Sequence, residues 1–189
     1  REGVPASHLR VGASADALLR VALAARLALA PRSRAWVAEP SDPALVRAAL
    51  AAGLPYTDLG RHRDGALDAS ALARALEDGD APVALLDHPN DPTGRSLPAT
   101  ILAALAAASV PALILARARD VGALPVGPSL TCAWICALGP GAGLGAQSLA
   151  WLVADPELVD LTWRLDPDTG LSAASEDAAL AALSPTAQQ

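Results

Sequence analysis

The chain has 189 residues, a length typical of one domain with a substantial core. Apolar residues make up 52% of it, which argues against global disorder, yet no apolar run reaches the roughly 20 residues that span a bilayer. The formal net charge is −6 and no basic cluster stands out, so neither a nucleic-acid surface nor a membrane partner is expected. No secretory signal is visible, and we therefore expect a cytoplasmic protein.

Hydrophobic periodicity predicts short apolar strands that alternate with helices along the whole chain. The strands are predicted at 9–11, 35–38, 56–59, 83–86, 112–115, 131–138 and 148–154. The helices are predicted at 15–30, 43–52, 69–77, 98–108, 156–164 and 175–183. Runs that are apolar throughout are typical of strands buried on both faces of a parallel sheet. We therefore predict one three-layer α/β/α sandwich with a mostly parallel sheet over residues 1–189, without a linker or internal repeat.

Two cysteines, Cys132 and Cys136, lie in one predicted strand. Their spacing places both on the same face of that strand, which indicates buried thiols. A metal or redox role is the alternative, but no second cysteine pair or histidine cluster accompanies them. No metal site is predicted.

A loop rich in proline and glycine follows the strand at 83–86 and reads Asp-His-Pro-Asn-Asp-Pro-Thr-Gly-Arg over residues 87–95. Two prolines and a glycine force the backbone to turn here. In open α/β sheets, ligands bind at the carboxyl ends of strands, so this loop is the first place to look for chemistry. We expect His88 to be an exposed loop residue. Arg95 is a candidate partner for an anionic ligand, and solvated loop arginine is the alternative.

The segment 88–94 resembles the Asn-Pro-Thr-Gly loop of fold-type I pyridoxal-phosphate enzymes, in particular histidinol-phosphate aminotransferases and threonine-phosphate decarboxylases. Residues 11–16 resemble the phosphate-binding turn of that family, and residues 151–158 resemble the strand-to-helix step that follows its cofactor lysine. The resemblance implies the large, cofactor-binding domain of these enzymes. Their N-terminal arm and small C-terminal domain have no counterpart here.

The resemblance also suggests which residues would meet the cofactor. Ser14, Ala15 and Asp16 would present backbone N–H groups to a phosphate at a helix N-terminus, while an ordinary N-capped helix is the alternative. Asp91 stands where the family has an asparagine that donates to the phenolate oxygen of the cofactor. An ionised carboxylate accepts hydrogen bonds but donates none, so Asp91 would repel that oxygen.

The groups that carry the family's chemistry are replaced. All 14 basic residues are arginines, and Gly139-Pro140 stands where the resemblance places the lysine that forms the Schiff base. The run 116–119 is Ala-Arg-Ala-Arg where the family has Asp-Glu-Ala-aromatic, and Asp120 comes four positions late. The segment 40–43 offers no ring to stack on the cofactor, and Ser148 replaces the arginine that follows Gly143-Leu144.

We therefore predict an aminotransferase-like domain with no catalytic residues and no covalent cofactor, whose role is structural, regulatory or in dimerisation. By resemblance to dimeric enzymes, its partner would be a second copy, a related subunit or a neighbouring domain. Two alternatives stay open. One is an active pyridoxal-phosphate-dependent aminotransferase or decarboxylase completed by another chain. The other is a binder of a phosphorylated small molecule without covalent chemistry.

Other motifs give weaker signals. The glycine-rich turn at 139–145 does not match a dinucleotide-binding loop, because the third glycine is not three residues after the second. It does not match a P-loop either, because the Gly-Lys-Ser/Thr ending is missing. The histidines His8, His62 and His88 are scattered. Ser96 is the only serine near a turn and a histidine, and without a nucleophile elbow it does not indicate a catalytic triad.

Overall fold

A computed structural model of the chain describes residues 4–31, 34–77, 82–117, 132–138 and 148–182. Its strands are β1 (Leu9–Gly12), β2 (Ala35–Val37), β3 (Tyr56–Asp58), β4 (Val83–His88), β5 (Ala112–Arg117), β6 (Cys132–Leu138) and β7 (Leu149–Val153). Its helices are α1 (Ala15–Leu29), α2 (Pro43–Ala51), α3 (Ala69–Glu77), α4 (Ala99–Ala107), α5 (Pro156–Leu165) and α6 (Ala173–Ala182). Every predicted element is present, and most boundaries move by one or two residues.

The seven strands form one sheet in the order β1-β7-β6-β5-β4-β2-β3. Strand β7 runs antiparallel to both of its neighbours, β1 and β6, and the other described pairs are parallel. Strands β1 to β6 therefore all point their carboxyl ends to the same edge of the sheet. The mostly parallel sheet expected from the sequence is confirmed.

Two hydrophobic clusters cover the two faces of the sheet. One face packs against α1, α2 and α5, whose buried side chains include Leu19, Leu45 and Leu158. The opposite face packs against α3 and α4. Side chains of β4 alternate between the clusters, since Leu85 lies in the first and Leu86 in the second. The three-layer α/β/α architecture is thus formed by burial on both faces of the central strands.

Helix ends follow local capping chemistry. Ser14 Oγ accepts from the amide of Ala17 at the start of α1, and Asp68 Oδ1 accepts from two amides at the start of α3. Helix α2 is followed by Gly53 at a φ of +70°. Helix α6 begins earlier than the predicted residue 175, because Ser172 Oγ accepts from the amide of Ser175 and so caps the helix three residues upstream.

A buried arginine joins the first strand to α5. Arg10 is only 2% exposed, and its guanidinium lies 4.7 Å from the ring centroid of Trp163. It donates to the carbonyl of Thr162, to the Asp166 carboxylate at 3.2 Å and to the carbonyl of Asp168. Burial lowers the pKa of Arg10, while the charge of Asp166 opposes that shift.

The strand β6 carries both cysteines, and the structure buries both within the cluster on the α3/α4 face. The prediction that they share a buried face is confirmed. None of the helices in the described ranges combines the length and the apolar character that crossing a membrane requires.

Candidate functional site

Asp87 lies near the carboxyl end of β4 and is the centre of a buried polar cluster. Its Oδ1 accepts a hydrogen bond from Nη2 of Arg61 at 3.0 Å. Both of its carboxylate oxygens accept from Nδ2 of Asn90 at 3.0 Å. Its Oδ2 also accepts from the amides of Asp42 at 2.9 Å and Asp91 at 3.1 Å. The Arg61 and Asp87 side chains are 4% and 3% exposed. We call Arg61, Asp87 and Asn90 the Asp87 cluster.

The Asp87 cluster connects three loops that follow β2, β3 and β4. Arg61, after β3, donates to the carbonyls of Ala38 and Pro40, after β2, and to Gly65 in its own loop. Asn90, after β4, donates to the same Pro40 carbonyl at 2.9 Å. Burial lowers the pKa of Arg61, and the charge of Asp87 opposes that shift. The Asp87 carboxylate thereby compensates for the cost of burying the guanidinium.

Asn90 also shapes the loop that carries Asp91. Its Oδ1 accepts from both the amide and the hydroxyl of Thr93, and its carbonyl accepts from the amide of Gly94. The amide of Asn90 donates to the carbonyl of Arg95 at 2.8 Å, which closes the turn. Asp91 sits at the corner of this turn, half-buried, with its backbone held by Asp87.

The expectation of an exposed loop position for His88 is wrong, because β4 continues two residues beyond Leu86. His88 is the last residue of that strand and is half-buried. Its ring meets Trp134 of β6 edge to face, with centroids 5.8 Å apart, and its Nδ1 accepts from the amide of Leu97 at 2.9 Å. Burial lowers the pKa of His88, and the neighbouring Asp87 carboxylate opposes that shift.

The turn between β1 and α1 uses much of its polar capacity internally. Ser14 Oγ caps α1, and Ser148 Oγ donates to the carbonyl of Ala13. The amide of Ala13 donates to the carbonyl of Thr169 at 2.9 Å. Asp16, in the first helical turn, forms an exposed ion pair with Arg47 at 3.2 Å. The first amides of a helix have no acceptor within it, and at the start of α1 this applies to those of Ala15 and Asp16.

Solved structures share this arrangement of strands and helices. Histidinol-phosphate aminotransferase from Clostridium acetobutylicum matches with a TM-score of 0.76 at 14% identity, over 95% of this chain and 55% of that one. The same enzyme from Sinorhizobium meliloti, in complex with pyridoxal-5'-phosphate, matches with 0.69 at 20% identity, over 95% and 51%. A pyridoxal-phosphate-bound C-S lyase from Staphylococcus hominis matches with 0.75 at 15% identity, over 96% and 51%.

The chain has the fold of the aminotransferase large domain. It spans about half the length of the solved structures it matches. No protein-family model matches this aminotransferase-like domain, and no curated protein matches it by sequence. At such low identities the likeness concerns the fold, and the site has to be judged on its own residues.

In this aminotransferase-like domain, the residues predicted to meet a cofactor fall into two groups. Ser14, Ala15 and Asp16 follow β1, whereas Asp91 follows β4. Three strands lie between β1 and β4 in the sheet, so four strand spacings of about 4.8 Å separate them, about 19 Å in total. Ala116 of β5 lies between the groups, buried and opposite His88 in the strand register. A role for these residues in binding a cofactor stays a prediction.

Several sequence-based assignments lie outside the described residues. These are Gly139-Pro140, Gly143-Leu144, the glycine-rich turn at 139–145, and Ala118, Arg119 and Asp120. Within the described ranges, no three side chains of His, Cys, Asp or Glu are grouped to hold a metal ion. Arg95, the candidate anion partner, donates to the Asp64 carbonyl and carboxylate on the neighbouring loop.

The roles of Arg61 and Asp87 were missed by sequence reasoning. One signal was available, because Asp87 directly continues the apolar run 83–86, and a carboxylate buried there requires a charged partner. That partner comes from 26 positions earlier, in a loop that contains both Arg61 and Arg63. Local pattern does not distinguish between those two arginines.

Proposed function

We propose that this chain is an aminotransferase-like domain without Schiff-base catalysis, whose role is structural, regulatory or in dimerisation. The observation that carries the proposal is the absence of lysine from all 189 residues. Pyridoxal phosphate supplies an electron sink for amino-acid chemistry, and a lysine amine normally holds it as an imine. Arginine does not replace lysine there, because its guanidinium stays protonated and is a poor nucleophile.

The side chains present do not fit that cofactor. The pyridine ring needs a carboxylate to keep its nitrogen protonated, and Ala116 at the end of β5 offers a methyl group. Asp91 brings a negative charge where the family has a donor to the phenolate oxygen. At the turn after β1, Asp16 adds a second negative charge, which its exposed pair with Arg47 offsets only in part and which opposes binding of a phosphate. These three features support the proposal independently of the missing lysine.

The three loops connected by the Asp87 cluster favour a role in which the domain offers a fixed surface to a partner. Burying Arg61 and Asp87 costs desolvation free energy, which is offset only by close pairing and additional hydrogen bonds. The Asp87 cluster provides both, and it fixes three loops at the carboxyl edge of the sheet. We propose that the domain uses this edge, or the surface around it, to pair with a second copy, a related subunit or a neighbouring domain.

Reductive trapping tests the absence of Schiff-base chemistry. The protein is mixed with pyridoxal phosphate, reduced with borohydride and mapped by peptide mass spectrometry. We expect no visible imine band from an internal residue and labelling only at the α-amino group, the one primary amine in a lysine-free chain. The Pro140→Lys/Ala116→Asp variant is the control that restores an amine and a carboxylate. A stable imine in the unmodified protein at any internal position would overturn the proposal.

Two observations separate the remaining roles. Light scattering at increasing protein concentration measures pairing between copies, and a strictly monomeric chain would contradict the dimerisation role. A non-covalent phosphate binder is the second candidate, favoured by the amides of Ala15 and Asp16, which open α1 and have no acceptor within the helix. For a binder, inorganic phosphate would raise the melting temperature, and Asp16→Asn would increase that shift by removing a repelling charge.

A further inference from the structure

Each histidine of the chain makes a different contact, and the contacts respond differently to protonation. Nδ1 of His8 faces the carbonyl of Ala154 at 2.8 Å, and a carbonyl only accepts, so this nitrogen carries a proton. His62 is exposed and lies 3.8 Å from the Asp68 carboxylate, an arrangement that protonation strengthens. His88 is the opposite case, because its Nδ1 accepts from the amide of Leu97.

The hydrogen bond from Leu97 determines the state of the His88 ring. A nitrogen that accepts carries no proton, so the ring must be neutral with its proton on Nε2. A protonated imidazole has donors at both nitrogens and has no lone pair for the Leu97 amide. Protonation of His88 and this hydrogen bond therefore exclude each other.

The bond closes a loop. His88 ends β4, Leu97 precedes α4, and the residues between them form the turn that carries Asp91. Leu97 is buried in the cluster on the α3/α4 face, so its amide is held close to the core. The near end of the loop is fixed separately, because the Asn90 side chain and the Asp91 amide both donate hydrogen bonds to the Asp87 carboxylate.

We propose that protonation of His88 releases the amide of Leu97 and opens the far end of the 89–97 loop, which makes the loop acid-sensitive. The near end stays attached through the Asp87 cluster, so the opening is local. This device operates on the same edge of the sheet that the proposed function assigns to pairing, but it does not depend on that assignment.

The charged and titratable groups near His88 indicate that His88 itself controls the pH response of the 89–97 loop. Asp87, its neighbour in β4, favours the protonated form, and burial outweighs it, so the pKa of His88 lies below the ordinary value. Helix α4 contains no charged residue. Across the sheet, Ala116 of β5 lies opposite, followed by Arg117, and β6 brings Trp134, Cys132 and Cys136 to the same cluster. The loop's own charges are Asp91 and Arg95.

The sign of the effect follows from linkage. Because the closed loop requires an unprotonated Nδ1 on His88, the open form binds the proton more tightly, and acidification favours opening. Between the His88 pKa of the closed loop and the higher pKa of the open loop, the protection factor of the Leu97 amide should fall about tenfold for each pH unit of acidification. Above pH 7 the protection should be independent of pH.

Hydrogen exchange of the Leu97 amide, followed by NMR from pH 7.5 to 5, tests the proposal in the intact protein. We expect Nε2-protonated His88 at neutral pH and a loss of Leu97 protection that follows the titration of the ring. The amide of Ala154, bound to the carbonyl of His8, reports whether the whole fold opens instead. Leu97 protection that stays constant while the His88 ring titrates, or a neutral ring protonated at Nδ1, would overturn the proposal.

Matched variants sharpen the test. His88→Asn keeps an acceptor at the δ position and has no proton to gain, so its Leu97 protection should be independent of pH. His88→Phe removes the acceptor and should lose that protection at every pH. His62→Asn removes an exposed histidine and should behave as the unmodified chain. A pH dependence that persists in His88→Asn would also contradict the proposal, because another group would then control the loop.

Discussion

Asp87 and Arg61 form an ion pair of 3.0 Å between the end of β4 and the loop after β3, with both side chains almost completely buried. Both charged groups are therefore largely shielded from solvent. The carboxylate is satisfied by Asn90 and by two backbone amides, and the guanidinium by three carbonyls. The pair therefore determines the conformation of three loops at once.

Removing the charge of Asp87 should destabilise the protein strongly. Asp87→Asn leaves the buried Arg61 guanidinium with only the weaker influence of Asp58 to offset its charge, and we expect a loss of about 3–5 kcal/mol in the free energy of unfolding. Urea denaturation measures it. Asp64→Asn is the matched control, since its pair with Arg95 is 59% and 55% exposed, and its effect on stability should be much smaller. Equal costs for the two variants would contradict the assigned role of the Asp87 cluster.

Introducing a second carboxylate into the cluster should make stability depend on pH. Asn90→Asp would place it about where Nδ2 now lies, 3.0 Å from Asp87, and two such carboxylates cannot both ionise at low cost. The folded pKa of one of them is then raised above its unfolded value. Its penalty is fully present above that raised pKa and is relieved as the pH falls. Relative to Asn90→Ala, the variant should therefore be less stable at pH 7.5 than at pH 5 in urea titrations, and a constant difference would speak against the pairing.

Gly65 should be less tolerant of substitution than Gly53, although both have positive φ. A Cβ on Gly65, at φ +84°, would lie 2.7 Å from Cβ of Thr93, whereas one on Gly53, at φ +70°, would meet nothing within 4 Å. Gly53→Ala should cost about 1–2 kcal/mol from backbone strain alone. Gly65→Ala adds a clash that pushes Thr93 away from Asn90, so thermal unfolding should show a clearly larger loss. Similar losses would mean that the two loops are not in contact.

The cysteines should stay reduced and unreactive in the folded protein. Cys132 and Cys136 are buried on one strand, four residues and about 13 Å apart, well beyond the Cα separation that a disulfide allows. We expect negligible labelling by a thiol reagent under native conditions and two labelled thiols in denaturant. Fast native labelling of either thiol would show that the α3/α4 face is open to solvent.

Much of the fold follows from local pattern, and the site does not. Strand β6 and the first four residues of β4 are apolar throughout because both of their faces are covered, and this signature is visible in the sequence. Helix starts follow from capping residues such as Ser14 and Asp68. The environment of His88 was misjudged and the role of Arg61 was missed because both depend on partners far along the chain, and side-chain pairing across loops leaves no periodic pattern in the sequence.

The position of β1 has a consequence for how the protein assembles. Leu9 pairs with Val153 and Gly12 with Ala150, so the first of these seven strands to be synthesised has to wait for the seventh before it can pair. Until α5 arrives, Arg10 has neither its carbonyl acceptors nor Trp163 to cover it. Completion of this edge is therefore the last step in assembling the seven-stranded sheet. A nascent chain arrested before Leu149 would lack β7, so β1 would have no strand to pair with and one edge of β6 would be unpaired.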